Sequence, residues 1–493
     1  MLTFSANNKI LFISTLIVAL LCFSTAKAQN VNVSSGIKLT NKAPKFRIAG
    51  KLNNRYLAER YKDNYHILDV YNGYLKLQSS KTIPIQSNEY IKKLWINPQQ
   101  SWLIKLNHSN NYSTINALQL DDKIRFADKP IVIDTLREKS DLLNNNLRTQ
   151  LSLDENLILF YTPIFENGSI KSFYTKVVNN KLETVASKYL TDNYLINQYF
   201  VDVFLLNDGS YVFITTNDRE SDNADYFITY IKNGQVKTSV YNPIQDVFKK
   251  IEFEIDYKTN SLIASGFYRE PKENKRDNTG ASKLFVTKID LNNFETTYTD
   301  IVPITESFYN KLTGKASETT PPQLYTFYIN NIIPKNDGGC LVLAESYFKN
   351  EEESLNNYYF SVSGMNTYSS STIYNFNDIL VYNVDSNGII DKENIGIIRK
   401  KQISTNDNGS YSSFYTANLQ NELQLIYLDE IDNEGQLLAE SIEPHEDSKN
   451  KVVMNIGGNE VVPIVKMSMQ TAPNEILIPS MSRSKFKLIK LVF

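Results

Sequence analysis

Three histidines, His66, His108 and His445, occur in the whole chain, and none has a second His or Cys at the spacing that a zinc site requires. The stretch Gly409-Ser410-Tyr411-Ser412 lacks the strained Gly-x-Ser-x-Gly turn that would expose a nucleophilic serine. Asp385-x-Asn387-Gly388 and Asp432-x-Glu434-Gly435 resemble the start of a calcium loop. In the first the glycine comes too early, and neither ends in a bidentate Glu, so both read as hairpin turns. The acidic run with Asp218, Glu220, Asp222 and Asp225 reads as a solvated charge run rather than a cation site. No metal and no cofactor is expected.

Carboxylates remain. Glycoside cleavage needs only two of them flanking a sugar, and Asp and Glu are too abundant here to argue for or against it. Glu345 is the one to single out: in strand alternation it shares a face with Leu341 and Leu343, which aims it at apolar neighbours. There it is either a proton donor of raised pKa or half of a structural ion pair, with Lys400 or Lys401 of the adjoining blade as partner. A second candidate is the insert 349–376, which sets Tyr358, Tyr359, Phe360, Tyr368 and Tyr374 among small polar residues. Tyr with Ser, Gly and Asn is the composition of adaptable recognition loops, suited to a glycan or a protein partner. The insert 269–283 is charged, without aromatics, and reads as a mobile rim loop.

These residues need a frame. Short apolar runs bounded by Asn-Gly, Asp-Gly and Asn-Asn turns recur from Arg55 onward, as in 65–78 about Asn72-Gly73, 155–185, 208–239 and 334–391. Second strands follow one another at roughly 50 to 55 residues, the period of four-stranded propeller blades. The final unit, 474–493, stops at its third strand. The expectation is an all-β chain, a β-propeller of four-stranded antiparallel blades, with seven blades favoured and eight allowed, closed by pairing of N- and C-terminal strands. A pair of β-sandwiches is the alternative. No helical period is visible beyond the first residues, apart from a turn or two near 136–148.

Lys9, the apolar run 10–23 and Ala26-Lys27-Ala28 form a signal-peptide pattern with cleavage before Gln29, and the run is too short to span a membrane. Leu21 before Cys22 argues against lipidation. The expected organisation is a signal peptide over 1–28, a flexible segment over 29–43 and one propeller over 44–493. Cys340 is then the one remaining cysteine; it lies in an apolar strand and reads as a buried thiol. A net charge of −2 with mixed signs leaves no nucleic-acid footprint.

The runs DGGCLVLAESYF, NDILVYNVDSNGII and KKQISTNDNGSYSSF resemble the pattern of uncharacterised exported β-propeller-like proteins of Bacteroidota, over about the last 170 residues. The matching positions are Glu345, Asp378, Ile379, Lys400 or Lys401, Gln402 and Ser404; Ile398-Arg399 stands where the pattern has a proline. The resemblance implies a fold and an exported address, periplasmic, cell-surface or secreted, and no activity. Two functions stand as hypotheses: a non-enzymatic platform for a protein partner or other ligand, or a carbohydrate-binding or carbohydrate-cleaving propeller.

Overall fold

The structure, a computed structural model, describes residues 30–39, 46–62, 65–83, 85–109, 112–136, 147–166, 169–191, 198–218, 224–244, 247–269, 280–319, 322–356, 367–393, 395–419, 422–431, 435–442, 450–456, 461–482 and 484–493. Period-2 apolar runs become strands, and the strands form eight antiparallel sheets arranged as the blades of a propeller. Blades 1 to 8 span 46–83, 89–136, 148–190, 199–241, 247–303, 327–398, 414–455 and 469–492. The count is therefore eight, one more than the favoured reading, because 46–83 is a complete blade and the last unit is separately closed.

Sheet faces are apolar, so each blade must cover both faces with its neighbours. The buried side chains accordingly fall into eight clusters, and each cluster is one seam. Leu57, Leu68 and Val70 of blade 1, for example, meet Leu94, Leu103 and Leu118 of blade 2. Each fully buried Leu or Phe contributes about 1.5–3 kcal/mol. First strands of consecutive blades lie against one another around the axis, as at Glu89–Trp95, Arg148–Leu151, Tyr199–Leu205, Val247–Asp256 and Phe327–Pro334.

Blade 8 supplies three strands from the C-terminal stretch: Met469–Ala472, Glu475–Ser482 and Lys485–Val492. Its fourth is Asn30–Val33, in register from Asn30 opposite Val492 to Val33 opposite Ile489. Ile37–Lys38 then pairs with Phe486 and Lys485. Between the two, Ser34 donates its N–H to the Leu488 carbonyl and accepts the Leu488 N–H at Oγ, both at 2.8 Å. The segment 29–43 is thus corrected in part: Asn30–Val33 and Ile37–Lys38 are strand, held because Lys485–Val492 would otherwise leave an open edge. Phe46 of blade 1 packs on Phe486 with centroids 4.7 Å apart, completing the last seam.

The two ends of the ring are built differently. At one end, Asn72, Asp121, Asn179 and Asp385 start third-to-fourth-strand turns, each accepting at Oδ1 from backbone N–H groups two and four residues on. The residue three positions on has positive φ: Leu75, Ile124, Leu182 and Gly388. In blades 1 and 2 that residue is apolar and buried, so burial offsets the backbone cost. Asn72-Gly73 is therefore a wider turn than the two-residue hairpin its sequence suggests. Lysines stitch neighbouring turns together at this end. Lys490 donates to the Gly73 carbonyl, Lys81 to Ile124, Lys188 to Gly234, Lys237 to Asn292 and Lys288 to Gly338.

Two other expectations change. Glu306–Thr313 is a helix (α1) between blades 5 and 6: Thr305 Oγ1 accepts the Phe308 N–H, Gly314 closes it at φ 72°, and Phe308 and Leu312 are buried. Two turns are too few to show a period beside strands. The region 136–148 has strand at both edges, and its middle lies outside the described residues. Among the described residues no helix is long and apolar enough to cross a membrane, and residues 1–29 lie outside them.

Removing residues 30–39 is expected to bare the outer edge of Lys485–Val492, lower the melting temperature and promote oligomers; adding the 30–39 peptide in trans should restore the parent melt. Calorimetry with size-exclusion chromatography checks this, and an unchanged sharp monomeric transition would show that ring closure does not depend on the strand.

Candidate functional site

Antiparallel order brings the starts of first and third strands and the ends of second and fourth strands to the opposite end of the ring. Eight tyrosines are exposed among the described residues, and seven of them sit there: Tyr61, Tyr65, Tyr90, Tyr112, Tyr189, Tyr199 and Tyr325. Tyr74 alone lies at the tight-turn end. From the same end as the seven, the middle strands of blade 6, Cys340–Asn356 and Thr367–Val384, run on past the blade as a paired arm.

The arm corrects the reading of 349–376 as a loop: Lys349 to Asn356 pairs with Tyr374 to Thr367, and the β-branched Thr367, Thr372 and Ile373 favour the extended chain. Tyr358, Tyr359 and Phe360 lie outside the described residues. Tyr368 is in the strand, opposite Leu355. Tyr374 is half-buried and donates to Asn408 Oδ1 at 2.9 Å, which makes it a tie to the blade 6–7 link. Ring contact continues at the arm's base, where Tyr347 packs on Phe376 at 4.6 Å and on Tyr328 at 5.8 Å.

Beneath the arm Glu345 is buried, with Lys400 Nζ 2.5 Å from its Oε1. Its Oε2 accepts from Ser413 Oγ at 2.7 Å and Asn330 Nδ2 at 3.0 Å. Burial pushes the Lys400 ammonium down, and the Glu345 charge opposes that shift. Lys400 belongs to blade 6's own exit and not to the adjoining blade, since Gln402–Thr405 pairs back onto Ile373–Phe376. Lys401 is exposed and gives its backbone N–H to Asp429 O. Gln402 clasps the link by donating to Leu428 O at 2.6 Å and accepting the Ser413 N–H at 2.6 Å. Ser404 meets Ser412, Ile379 fills the blade 6–7 seam, and Asp378 pairs with Arg399 at 2.5 Å. Arg399, in the place of a proline, also donates to the carbonyls of Lys311 and Leu312 at the end of α1.

Blade 1 holds a second buried carboxylate at the same register. Glu59 follows Ala58 as Glu345 follows Ala344, and each alanine faces the isoleucine that opens a first-strand bulge. Glu59 takes Arg47 at 2.7 Å and His66 Nε2 at 2.9 Å, while Tyr61 stacks on His66 with centroids 4.2 Å apart. Burial alone would raise the Glu59 carboxyl; the His66 hydrogen bond and the Arg47 and His66 charges reverse that and hold it below the ordinary range. The tripeptide Leu-Ala-Glu occurs at 57–59, 343–345 and 438–440, and the first two copies lie on second strands opposite a first-strand bulge while the third lies on the third strand of blade 7. His108 also lies in a pair, with Nδ1 2.6 Å from Ser113 Oγ, and His445 lies outside the described residues.

The bulges shape the axial channel. Lys92, Val201 and Asn330 are the extra residues in their first strands, and Lys93, Asp202 and Asn331 come next after them; in blade 5 the longer bulge ends at Glu252. Burial depresses both Lys92 and Lys93. Across the ring, burial and the nearby Asp202 and Glu252 charges raise Glu254 to about 7, partly opposed by the Ile255 N–H. Among the described residues no group of three or more His, Cys, Asp or Glu side chains could hold a metal ion.

No family model matches the chain, and no curated protein matches it. Solved structures resemble it weakly. Prolyl oligopeptidase B from Galerina marginata is 9% identical at a TM-score of 0.38, over 92% of this chain and 55% of that one. A post-proline cleaving enzyme from Rickettsia typhi is 9% identical at 0.39, over 90% and 58%. A hypothetical selenium-binding protein from Sulfolobus tokodaii is 12% identical at 0.36, over 73% and 81%. The chain thus spans little more than half the length of the two peptidases, and likenesses this weak carry no argument about activity.

Two outcomes test the buried groups. Glu345→Ala strands Lys400 and should cost about 3–5 kcal/mol, near 1 °C of melting temperature per kcal/mol for a chain this long, with a smaller loss once Lys400→Met is added. A parent-like melt would remove the ion pair's structural role. Cys340 is buried and its thiol is pushed up to about 12 by burial, so it should react with iodoacetamide only on unfolding; rapid native labelling would contradict its burial.

Proposed function

We propose that the chain is an exported, non-enzymatic β-propeller whose loop-bearing face is a binding platform for a protein or glycan. The observation that carries this is the segregation of exposed tyrosines: among the described residues seven of eight share the end from which the blade 6 arm projects, while the other end is made of short Asx turns bridged by lysines. Monomers scatter exposed apolar side chains singly, and a one-sided set of large amphipathic rings marks a contact surface. The buried carboxylates are consistent with a platform, since Glu59 and Glu345 are each satisfied by two or more partners and hold strands in place. Export rests on the leader pattern of residues 1–28, and kinship with the exported Bacteroidota proteins rests on the Glu345 to Ser404 motif.

A second reading has its own observation. Glu254, raised to about 7, remains partly protonated at neutral pH and stands near Asp202 and Glu252, which is what a general acid beside a second carboxylate requires. On that reading the channel cleaves glycosidic bonds.

A glycan array and an affinity capture from the native envelope separate the two. Tyr61→Ala/Tyr65→Ala and Tyr90→Ala/Tyr112→Ala should each weaken binding at least tenfold, with Tyr74→Ala neutral. Equal binding by all three variants would remove the face from consideration, and glycan cleavage abolished by Glu254→Gln would favour the enzyme.

A further inference from the structure

The two middle strands of blade 6 are not covered alike. Cys340–Asn356 has Phe327–Pro334 on its inner side only over 340–346, and the last bond across that edge runs from the Tyr347 N–H to Thr326 O at 2.8 Å. From Phe348 to Asn356 its one partner strand among the described residues is Thr367–Val384, on the other side. That second strand is better guarded along its outer edge. Gln402–Thr405 pairs with it over 373–376, and Asn406 closes on Thr372, donating its N–H to Thr372 O at 3.0 Å and accepting the Thr372 N–H at Oδ1 at 2.9 Å. The inner edge of 348–356 is therefore left without a ladder partner among the described residues. Its parity is fixed. Tyr347 directs its N–H inward and the register beyond it is unbroken, so the N–H and C=O groups of Lys349, Glu351, Glu353 and Leu355 also point inward, while those of the residues between them bond the other strand. A two-stranded ribbon is marginal in water, and a row of unpaired backbone donors and acceptors is a template for a third strand.

Charge decides which strand the edge suits. The stretch 349–356 carries Lys349 and three successive glutamates, Glu351, Glu352 and Glu353, a net −2, and the stretch 367–373 that pairs with it carries no charge. Register sets the glutamates opposite Thr372, Ser371 and Ser370, which offer no cation. Lys349 reaches Glu351 at 3.4 Å with both side chains exposed, a contact that water screens and that contributes little. A second copy of this edge would bring the same net charge to it. A strand with lysine or arginine at alternate positions brings the opposite charge and gains cross-strand pairs.

We infer that the inner edge of 348–356 takes up an extended, basic segment of a protein partner as a third strand of the arm. The main chain of Lys349, Glu351, Glu353 and Leu355 supplies the ladder bonds, and the glutamates select the charge of the incoming strand. This rests on the tyrosine-bearing end being the binding face and commits the arm on that face to a protein and not a glycan.

The probe is an end-blocked heptapeptide of alternating threonine and lysine, titrated calorimetrically into the full chain beside two counterparts. One is N-methylated at two successive central residues, which blocks both of its edges, and the other has glutamate in place of lysine. The basic peptide should bind, and each counterpart should bind at least tenfold more weakly. Glu351→Pro removes an inward N–H and leaves the bonds to the other strand in place, so it should weaken the basic peptide at least tenfold at a parent-like melting temperature, with Glu351→Gln, which keeps the N–H, closer to the parent. Glu351→Lys/Glu353→Lys should turn the preference toward the acidic peptide. No binding of the basic peptide, equal binding of either counterpart, or a Glu351→Pro variant that binds like the parent would overturn the inference. So would a chain that self-associates and becomes monomeric on Glu351→Pro, since the edge then belongs to a second copy. If the arm variants bind like the parent while Tyr61→Ala/Tyr65→Ala and Tyr90→Ala/Tyr112→Ala still weaken binding of the captured ligand, the face reading stands and the arm inference alone falls.

Discussion

A ring of sheets has no free end only if its last seam closes, and here closure is topological as well as apolar. Strand Lys485–Val492 has two edges, one covered by Glu475–Ser482 and the other by Asn30–Val33, so residues more than 450 positions apart in sequence form one ladder. Phe486 and Leu488 of that strand also pack against Phe46, Ile48 and Tyr56 of blade 1. Every other seam borrows its geometry from this one, because eight blades of fixed twist must return to their starting point. The loop-closure entropy of joining the ends is large in absolute terms but grows only logarithmically with length, so a few ladder bonds and one apolar seam suffice to hold it.

Closure frees the two faces to differ. At one end, chain reversal is handled by short turns whose carbonyls receive lysines from the preceding blade, a use of cations that needs no carboxylate. At the other, strands overrun their blade and rings stand exposed. Irregularity is concentrated where the scaffold is already determined by the seams, which is the arrangement by which rigid folds carry recognition.

Much of this was legible in the sequence because turn chemistry is local. Asp385-Ser386-Asn387-Gly388 and Asn179-Asn180 announce reversals, and the incomplete unit at 474–493 announces a borrowed strand. The blade count was less legible: 46–83 carries the same turns as the others, but its membership depends on whether the N-terminal strand serves blade 1 or blade 8, a long-range fact. The insert at 349–376 looked like a loop because Asn, Ser and Glu are poor strand formers singly, and pairing across the hairpin overrides that propensity. The burial of Glu345, which Lys400 meets, was readable from alternation. That the lysine belongs to the same blade was not, because Gln402–Thr405 folds back on the arm instead of opening blade 7. The channel was invisible, since a bulge at Lys92 or Asn330 leaves no mark in a strand's apolar pattern.

The bulges tie scaffold to site. A regular first strand would direct alternate side chains into the two seams beside it, and the channel would be lined by backbone edges alone. One extra residue breaks the alternation, turns a side chain toward the axis and shifts the parity of the residues after it. In blade 6 the extra residue, Asn330, hydrogen-bonds Glu345 and so joins the channel wall to the base of the arm. In blade 2 the extra residue is Lys92, whose ammonium burial depresses. The same backbone device therefore carries an amide that braces a buried carboxylate in one blade and a partly buried ammonium in another. The difference between blades lies in the one side chain placed on the bulge.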